Sequence, residues 1–258
     1  MRIIWQNTAA TDATLSTFRG TEVVQYPLAN AVNGRLHPEC RIEPDGNGHS
    51  YLQIEFSPAI TANGILVAGY KINNPGLSSN ETLAHAWSGV DLRVYSANYS
   101  NGYLYSFFSP AVTAKWWFVG DAAVTSGTYA RFGEVWIVNN AELPHNCTMS
   151  SAVDQRTGEV SEIITGGGNI WSYPQWKGRI FNLTWELLTE SELQTFIDLH
   201  EACYPNGTFW LDVGIDSTSP DLLFCYYRNK SLDITPQGPG LYSVNLEIQE
   251  VPEPNYYA

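Results

Sequence analysis

Alternation of apolar and polar positions predicts strands across residues 1–148. Tyr51–Phe56 sets Leu52, Ile54 and Phe56 on one face and Tyr51, Gln53 and Glu55 on the other, the two-residue period of a half-buried strand. Val90–Ser96 alternates in the same way, Val90, Leu92 and Val94 against Asp91, Arg93 and Tyr95. Gly64–Lys71 is apolar without a break, the pattern of a strand covered on both faces. Arg2–Gln6, Thr21–Tyr26, Leu104–Phe108, Lys115–Val119 and Arg131–Val138 complete the set. The connections are turn-formers: Pro44-Asp45-Gly46-Asn47-Gly48, Asn73-Asn74-Pro75-Gly76 and Ser126-Gly127. Short strands with no helical period predict a two-sheet β-sandwich.

The pattern changes at residues 149–168, which are polar and end in Gly166–Gly168. A domain boundary is expected near 150, dividing the chain into 1–150 and 151–258. Beyond it, Arg179–Leu188 alternates as a strand. Thr189–Tyr204 is the one convincing helix: Thr189 and Glu192 form a capping box. Leu193, Phe196, Ile197, His200 and Tyr204 make its apolar stripe, and Pro205-Asn206-Gly207 ends it. Strands follow at Phe209–Val213, Leu222–Arg228 and Tyr242–Val251, with a polar loop at Gly214–Asp221. The second half therefore reads as a β-sandwich or split barrel with one helix across it, and the whole chain as mainly β. No repeat of 20–50 residues and no low-complexity tract is visible.

Composition narrows the function classes. Aromatic residues are 13% and charged residues only 15%, which excludes disorder, coiled coil and collagen. Net charge is −13, with 13 basic residues against 26 acidic. Without a basic stripe, neither a nucleic-acid groove nor attachment to an anionic membrane is expected. No run of about 18 apolar residues occurs, and the N-terminus lacks the basic-then-apolar order of a signal peptide. Reduced thiols are then the default for Cys40, Cys147, Cys203 and Cys225.

Candidate chemistry is sparse. His37, Cys40, His145 and Cys147 offer nitrogen and sulfur ligands for zinc, but their spacing fits no standard knuckle, and buried apolar filling is the plainer reading. Asp212, Asp216 and Asp221 cluster around a loop without an EF-hand spacing. Glu186, Glu190 and Glu192 straddle a helix start, where the helix dipole already favours acids. No nucleophile elbow, zinc-protease motif, phosphate loop or dinucleotide fingerprint occurs. Tyr95, Trp116, Trp117 and Trp136 are candidates for a sugar-stacking platform. Glu134 and Asp212 are the acids to test should the chain prove a hydrolase accessory protein. The expectation is a non-enzymatic protein with no catalytic residue, cofactor or metal; a carbohydrate-binding module is the alternative.

Two stretches carry a family resemblance. Residues 176–251 run as an Arg-containing strand ending in Trp185, a Leu188-Thr189-Glu190 helix start, an aromatic strand (Gly207, Phe209, Trp210), an Asp-rich loop, an aromatic strand ending in Arg228, and Leu246-Glu247-Ile248-Gln249-Glu250. This order resembles the tail-tube-like domain of bacteriophage distal and minor tail proteins. Tyr129–Ile137 followed by Ala141–Pro144 resembles a galactose-binding-type jelly roll of the kind found on phage tail components. The resemblance implies a virion protein of the tail tip, assembled in the host cytoplasm into a ring, commonly sixfold. That ring would join the tail-tube protein to the baseplate hub, and no catalytic residues come with it; a hub or adaptor subunit of the same baseplate is a further alternative. An acidic lumen suits such a ring, because like charge lets DNA pass without sticking. Some related hub proteins hold an iron–sulfur cluster on closely spaced cysteines; the four here are scattered.

Overall fold

The computed structural model describes residues 2–36, 38–81, 93–100, 103–125, 127–139, 141–142, 153–164, 170–205, 207–212 and 221–251; of residues 2, 141–142, 153–164 and 170–179 it describes the backbone. The fold is mainly β, with sandwich-type sheets. The chain divides into two compact units, neither of them continuous. The sandwich unit is Gln6–Ala141 with Gly214–Leu222, and the helix unit is Met1–Trp5, Glu142–Val213 and Leu223–Ala258. The expected N-terminal strand therefore does not belong to the sandwich. Arg2–Ile4 pairs antiparallel with Thr208–Asp212, Ile3 opposite Leu211, so the sandwich is inserted after the helix unit's first strand.

The sandwich unit has a seven-stranded sheet ordered Glu134–Val138, Ser50–Ala68, Tyr103–Asp121, Pro75–Asn80, Arg93–Tyr95. Ala13–Arg19 adds to Ser50–Ala68, and Asn98–Ser100 to Tyr103–Asp121. A three-stranded sheet is ordered Ala130–Phe132, Cys40–Glu43, Thr21–Glu22. Leu52, Ile54 and Phe56 are buried as their alternation predicts, in one core with Ile42, Leu77, Trp117, Phe132 and Val135. Ile65–Ala68 is buried residue for residue, as an unbroken apolar run requires. Tyr51 departs from its polar-face assignment: it is buried against Phe118. The space exists because Gly76 and Gly120 lack side chains; a Cβ at either would sit within 2.4 Å of the tyrosine ring or hydroxyl. Thr21–Tyr26 forms a strand only at Thr21–Glu22, and residues 90–92 of Val90–Ser96 lie outside the described residues.

The strands expected at 51–56 and 64–71 are one long strand, and so are those at 104–108 and 115–119. Each carries a heptapeptide that differs at one position, Phe56-Ser57-Pro58-Ala59-Ile60-Thr61-Ala62 against Phe108-Ser109-Pro110-Ala111-Val112-Thr113-Ala114. The copies pair with each other, Ile60 opposite Ala114 and Ala62 opposite Val112. The Thr61 and Thr113 hydroxyls meet at 2.7 Å. The flanking register, Glu55 opposite Trp116 and Gly64 opposite Phe107, maps onto itself under the same exchange. A local twofold thus runs through the pair of threonines, with one irregularity on each strand.

The helix unit has a sheet ordered Ala141–Glu142, Arg2–Ile4, Thr208–Asp212, Leu222–Tyr227, Leu241–Glu250, Ile170–Leu188, Val153–Ile164, and Asp233–Gly238 also pairs with Leu241–Glu250. Helix Glu190–Cys203 forms where the capping box places it. The Thr189 backbone N–H donates to the Glu192 carboxylate at 2.8 Å, and the Thr189 hydroxyl donates to the same oxygen at 2.8 Å. Thr189→Ala is expected to cost about 1 kcal/mol, read as a lower denaturant midpoint at unchanged slope. The buried stripe is Leu193, Phe196, Leu199 and Cys203. Ile197 and His200 are only half-buried, and Tyr204 is 51% exposed. Tyr204 leaves the stripe because it is the C-cap, in extended backbone (φ −75°, ψ 137°).

The polar stretch expected to be a linker is largely strand. Val153–Ile164 pairs along its whole length with Ile170–Asn182, Arg156 opposite Arg179 and Ile164 opposite Ile170. Leu241–Glu250 pairs with the same long strand only over Ile180–Leu188. Among the described residues, 170–179 therefore have one strand neighbour, and with residues 156–164 they form a two-stranded ribbon running past the rest of the sheet. Gly166–Gly168 lies outside the described residues.

Candidate functional site

The sandwich unit carries a cleft of about 610 Å³ at the turn between Cys40–Glu43 and Ser50–Ala68. Glu43, Asp45, Gly46, Val124, Thr128 and Tyr129 are among its walls. The turn is built around Asp45. Its Oδ1 accepts the backbone N–H groups of Asn47 and His49, both at 2.9 Å, and its own N–H donates to the His49 carbonyl at 2.9 Å. Gly48 closes the turn at φ +81°, a conformation that favours glycine. The Gly48 carbonyl then accepts the Val124 N–H at 2.8 Å, tying the opposite wall to this one.

Asp45 Oδ2 receives Arg19 Nη1 at 3.1 Å, and His49 Nδ1 lies 3.9 Å away. Slight burial works to raise the Asp45 carboxyl, but the His49 and Asn47 amides and Arg19 outweigh it and hold it below the usual carboxylate range. On the other wall, Tyr129 leads into the strand Ala130–Phe132. The Arg41 guanidinium lies 3.6 Å from the Tyr26 ring centroid and 6.0 Å from that of Tyr129. It is fixed by the buried Glu39 carboxylate, at 2.8 Å from Nε and 2.7 Å from Nη2. The cleft thus offers a carboxylate fixed by its own turn and by Arg19, an aromatic ring and glycine walls, the make-up of a small-ligand site.

The sequence-derived candidates fall elsewhere. Trp117 and Trp136 are buried, and the Tyr95 hydroxyl meets the Ser79 hydroxyl at 2.6 Å while its ring stacks on Phe108 at 4.2 Å. Trp116 is half-buried under Lys115 Nζ at 4.5 Å. These four aromatics therefore form no exposed platform; they are spent on packing. Glu134 is fully buried. It accepts the Trp136 indole N–H at 3.0 Å, the Gly34 N–H at 3.0 Å and Asn7 Nδ2 at 3.4 Å, with the Arg35 amide a further donor. Burial pushes its carboxyl up to about 8 against the pull of those four donors. It is a structural hub outside the cleft.

Cys40 and Cys203 are buried free thiols, and Cys225 is buried as well. Burial pushes Cys40 up to about 12, helped by Glu22 and Glu39, and Cys203 likewise by burial alone. His37, His145 and Cys147 lie outside the described residues, as does Asp216. Asp212 is buried at the end of its strand, and Asp221 is half-buried. Glu186 and Glu190 are exposed, while Glu192 is taken up by the helix cap. Among the described residues no group of three or more His, Cys, Asp or Glu is placed to hold a metal ion, and no helix is long and apolar enough to cross a membrane. Arg19 and His49 were not marked by any motif, and Tyr129 only as the first residue of the jelly-roll-like stretch. The Pro-Asp-Gly-Asn-Gly turn was the available signal, since an Asp at such a place folds its side chain onto the following amides.

No protein-family model matches the chain, and no curated protein matches it in sequence. Among solved structures, the lectin domain of lectinolysin complexed with Lewis B antigen is similar at 15% identity, covering 53% of this chain and 98% of that one, with a TM-score of 0.40. The family 32 carbohydrate-binding module of C. perfringens NanJ, in complex with galactose, is similar at 16% identity, covering 52% and 98%, with a TM-score of 0.38. A Streptococcus pneumoniae fucose-binding module is similar at 12% identity, covering 52% and 98%, with a TM-score of 0.39.

Proposed function

We propose that this chain is a non-enzymatic structural subunit of a bacteriophage tail tip, self-associating into a ring that joins the tail tube to the baseplate hub in the virion. One observation carries the reading beyond the sequence resemblance: the ribbon of residues 156–164 and 170–179. A two-stranded ribbon is at best marginally stable in water, and among the described residues its outer strand, Val153–Ile164, ends the sheet, an edge that takes another strand. A neighbouring subunit satisfies both demands, and repetition around an axis closes a ring.

The test is the oligomeric state of the full chain by light scattering, with and without a tail-tube protein. Rings, alone or on the tube, are the expected result. A variant in which a tight turn replaces residues 156–179 is expected to remain monomeric with its sandwich transition unchanged. A full chain that stays monomeric with every tube partner, or a ribbon-less variant that still assembles, overturns the proposal.

A second reading, compatible with the first, is that the sandwich unit binds carbohydrate. The observation favouring it is the cleft lined by Asp45, Thr128 and Tyr129.

A further inference from the structure

We infer that the cleft between the Asp45 turn and Tyr129 takes an uncharged sugar ring and rejects acidic sugars; this rests on the carbohydrate-binding reading and adds the place and the charge class of the ligand. Asp45 lines the cleft with its carboxylate already neutralised by Arg19 at 3.1 Å, and Thr128 adds a hydroxyl whose own proton goes to the Thr125 carbonyl at 2.6 Å. Both accept from sugar hydroxyls, each of which gives as well as accepts a hydrogen bond. Glu43, exposed on the same rim, adds an unneutralised carboxylate. The Arg41 guanidinium, 6.0 Å from the Tyr129 ring centroid, is committed to the Glu39 carboxylate.

A sugar carboxylate or sulfate entering here would meet Glu43 and a chain of net charge −13, with Arg19 and Arg41 both engaged elsewhere. A neutral pyranose meets no such repulsion, and Tyr129 offers its apolar C–H face a ring to lie against. The cleft volume of about 610 Å³ accommodates a mono- or disaccharide with its water.

Gly46 provides a clean probe. A Cβ built there has no atom within 4 Å, and its φ is not in the left-handed region. Gly46→Trp should therefore fold and fill the cleft. The experiment is titration of the full chain, followed by NMR line-broadening of the sugar. The probes are galactose, lactose and N-acetylglucosamine, against sialyllactose and glucuronic acid. A neutral sugar is expected to bind, the acidic ones to bind at least about tenfold more weakly, and Gly46→Trp and Tyr129→Ala each to weaken the neutral sugar by about tenfold or more. The melting temperature of Gly46→Trp confirms that it folds.

Binding of neutral sugars that survives Gly46→Trp overturns the placement while leaving the sandwich a carbohydrate binder. Equal or tighter binding of sialyllactose overturns the charge class alone. Failure of every sugar to bind overturns the carbohydrate-binding reading itself.

Discussion

Glu134→Ala is expected to destabilise the sandwich unit by about 3–5 kcal/mol, near the top of what single substitutions cost. The carboxylate accepts from Gly34, Arg35, Asn7 and Trp136 in a site with no exposure, and each buried donor left without an acceptor costs about 1–3 kcal/mol. Asn7 amplifies the loss, because its side chain also caps the short helix Thr8–Asp12 through Ala9 at 3.1 Å and donates to the Val135 carbonyl at 2.9 Å. Urea denaturation of the full chain, followed by tryptophan fluorescence, measures the effect. A shift under about 1 kcal/mol would show that water or relaxation replaces the carboxylate.

The same residue gives a pH dependence of fixed sign. Its carboxyl lies at about 8 in the folded protein against an ordinary 4.5, so the folded state holds the proton more tightly than the unfolded one. The contribution of this group to stability is then fully present below about 4.5, declines as pH rises through the window, and is lost above about 8. Asp45, lowered rather than raised, acts with the opposite sign, but below its ordinary 3.8. Wild-type stability should fall between pH 5 and 8, and a Glu134→Gln variant should lack that share of the slope. Identical slopes in the two proteins would remove Glu134 as the cause.

In the helix unit the largest loss is expected from Phe196→Ala, about 3–5 kcal/mol for emptying a fully buried aromatic site. Phe196 packs against Trp185, ring centroids 5.0 Å apart, in one core with Leu183, Leu199, Val244 and Leu246. The stripe read from periodicity alone gives Tyr204 equal weight. The structure separates the two, since Tyr204 is 51% exposed, and Tyr204→Ala should stay within about 0.5 kcal/mol. Calorimetry of both variants decides it: only Phe196→Ala should lower the helix-unit transition, and equal shifts would restore the periodicity-based stripe.

How far the chain could be read from its sequence follows from what each signal depends on. The facing of Leu52, Ile54 and Phe56, the full burial of Ile65–Ala68 and the capped helix at Glu190–Cys203 were legible. Each depends on neighbours a few residues away, and the chain's own geometry fixes which side chains share a face. The choice of strand partner is a different kind of information, because backbone donors and acceptors are the same at every residue and carry no address. The sequence could therefore not assign Arg2–Ile4 to Thr208–Asp212 rather than to the sandwich it leads into. Nor could it turn a polar stretch ending in glycines into the strand Val153–Ile164, since pairing along a ribbon needs no apolar run.

The candidate site divides in the same way. That residues 44–48 form a turn was determined locally; that the turn faces Tyr129 across a cleft was decided by the sheets that bring residues 43–49 and 124–129 together. Glu134 is the sharpest instance. By itself it is an acid in an apolar strand, and only the arrival of donors from Asn7, Gly34 and Trp136 makes burying it tolerable. Local pattern settled what each segment is, and long-range hydrogen bonding settled what it is next to.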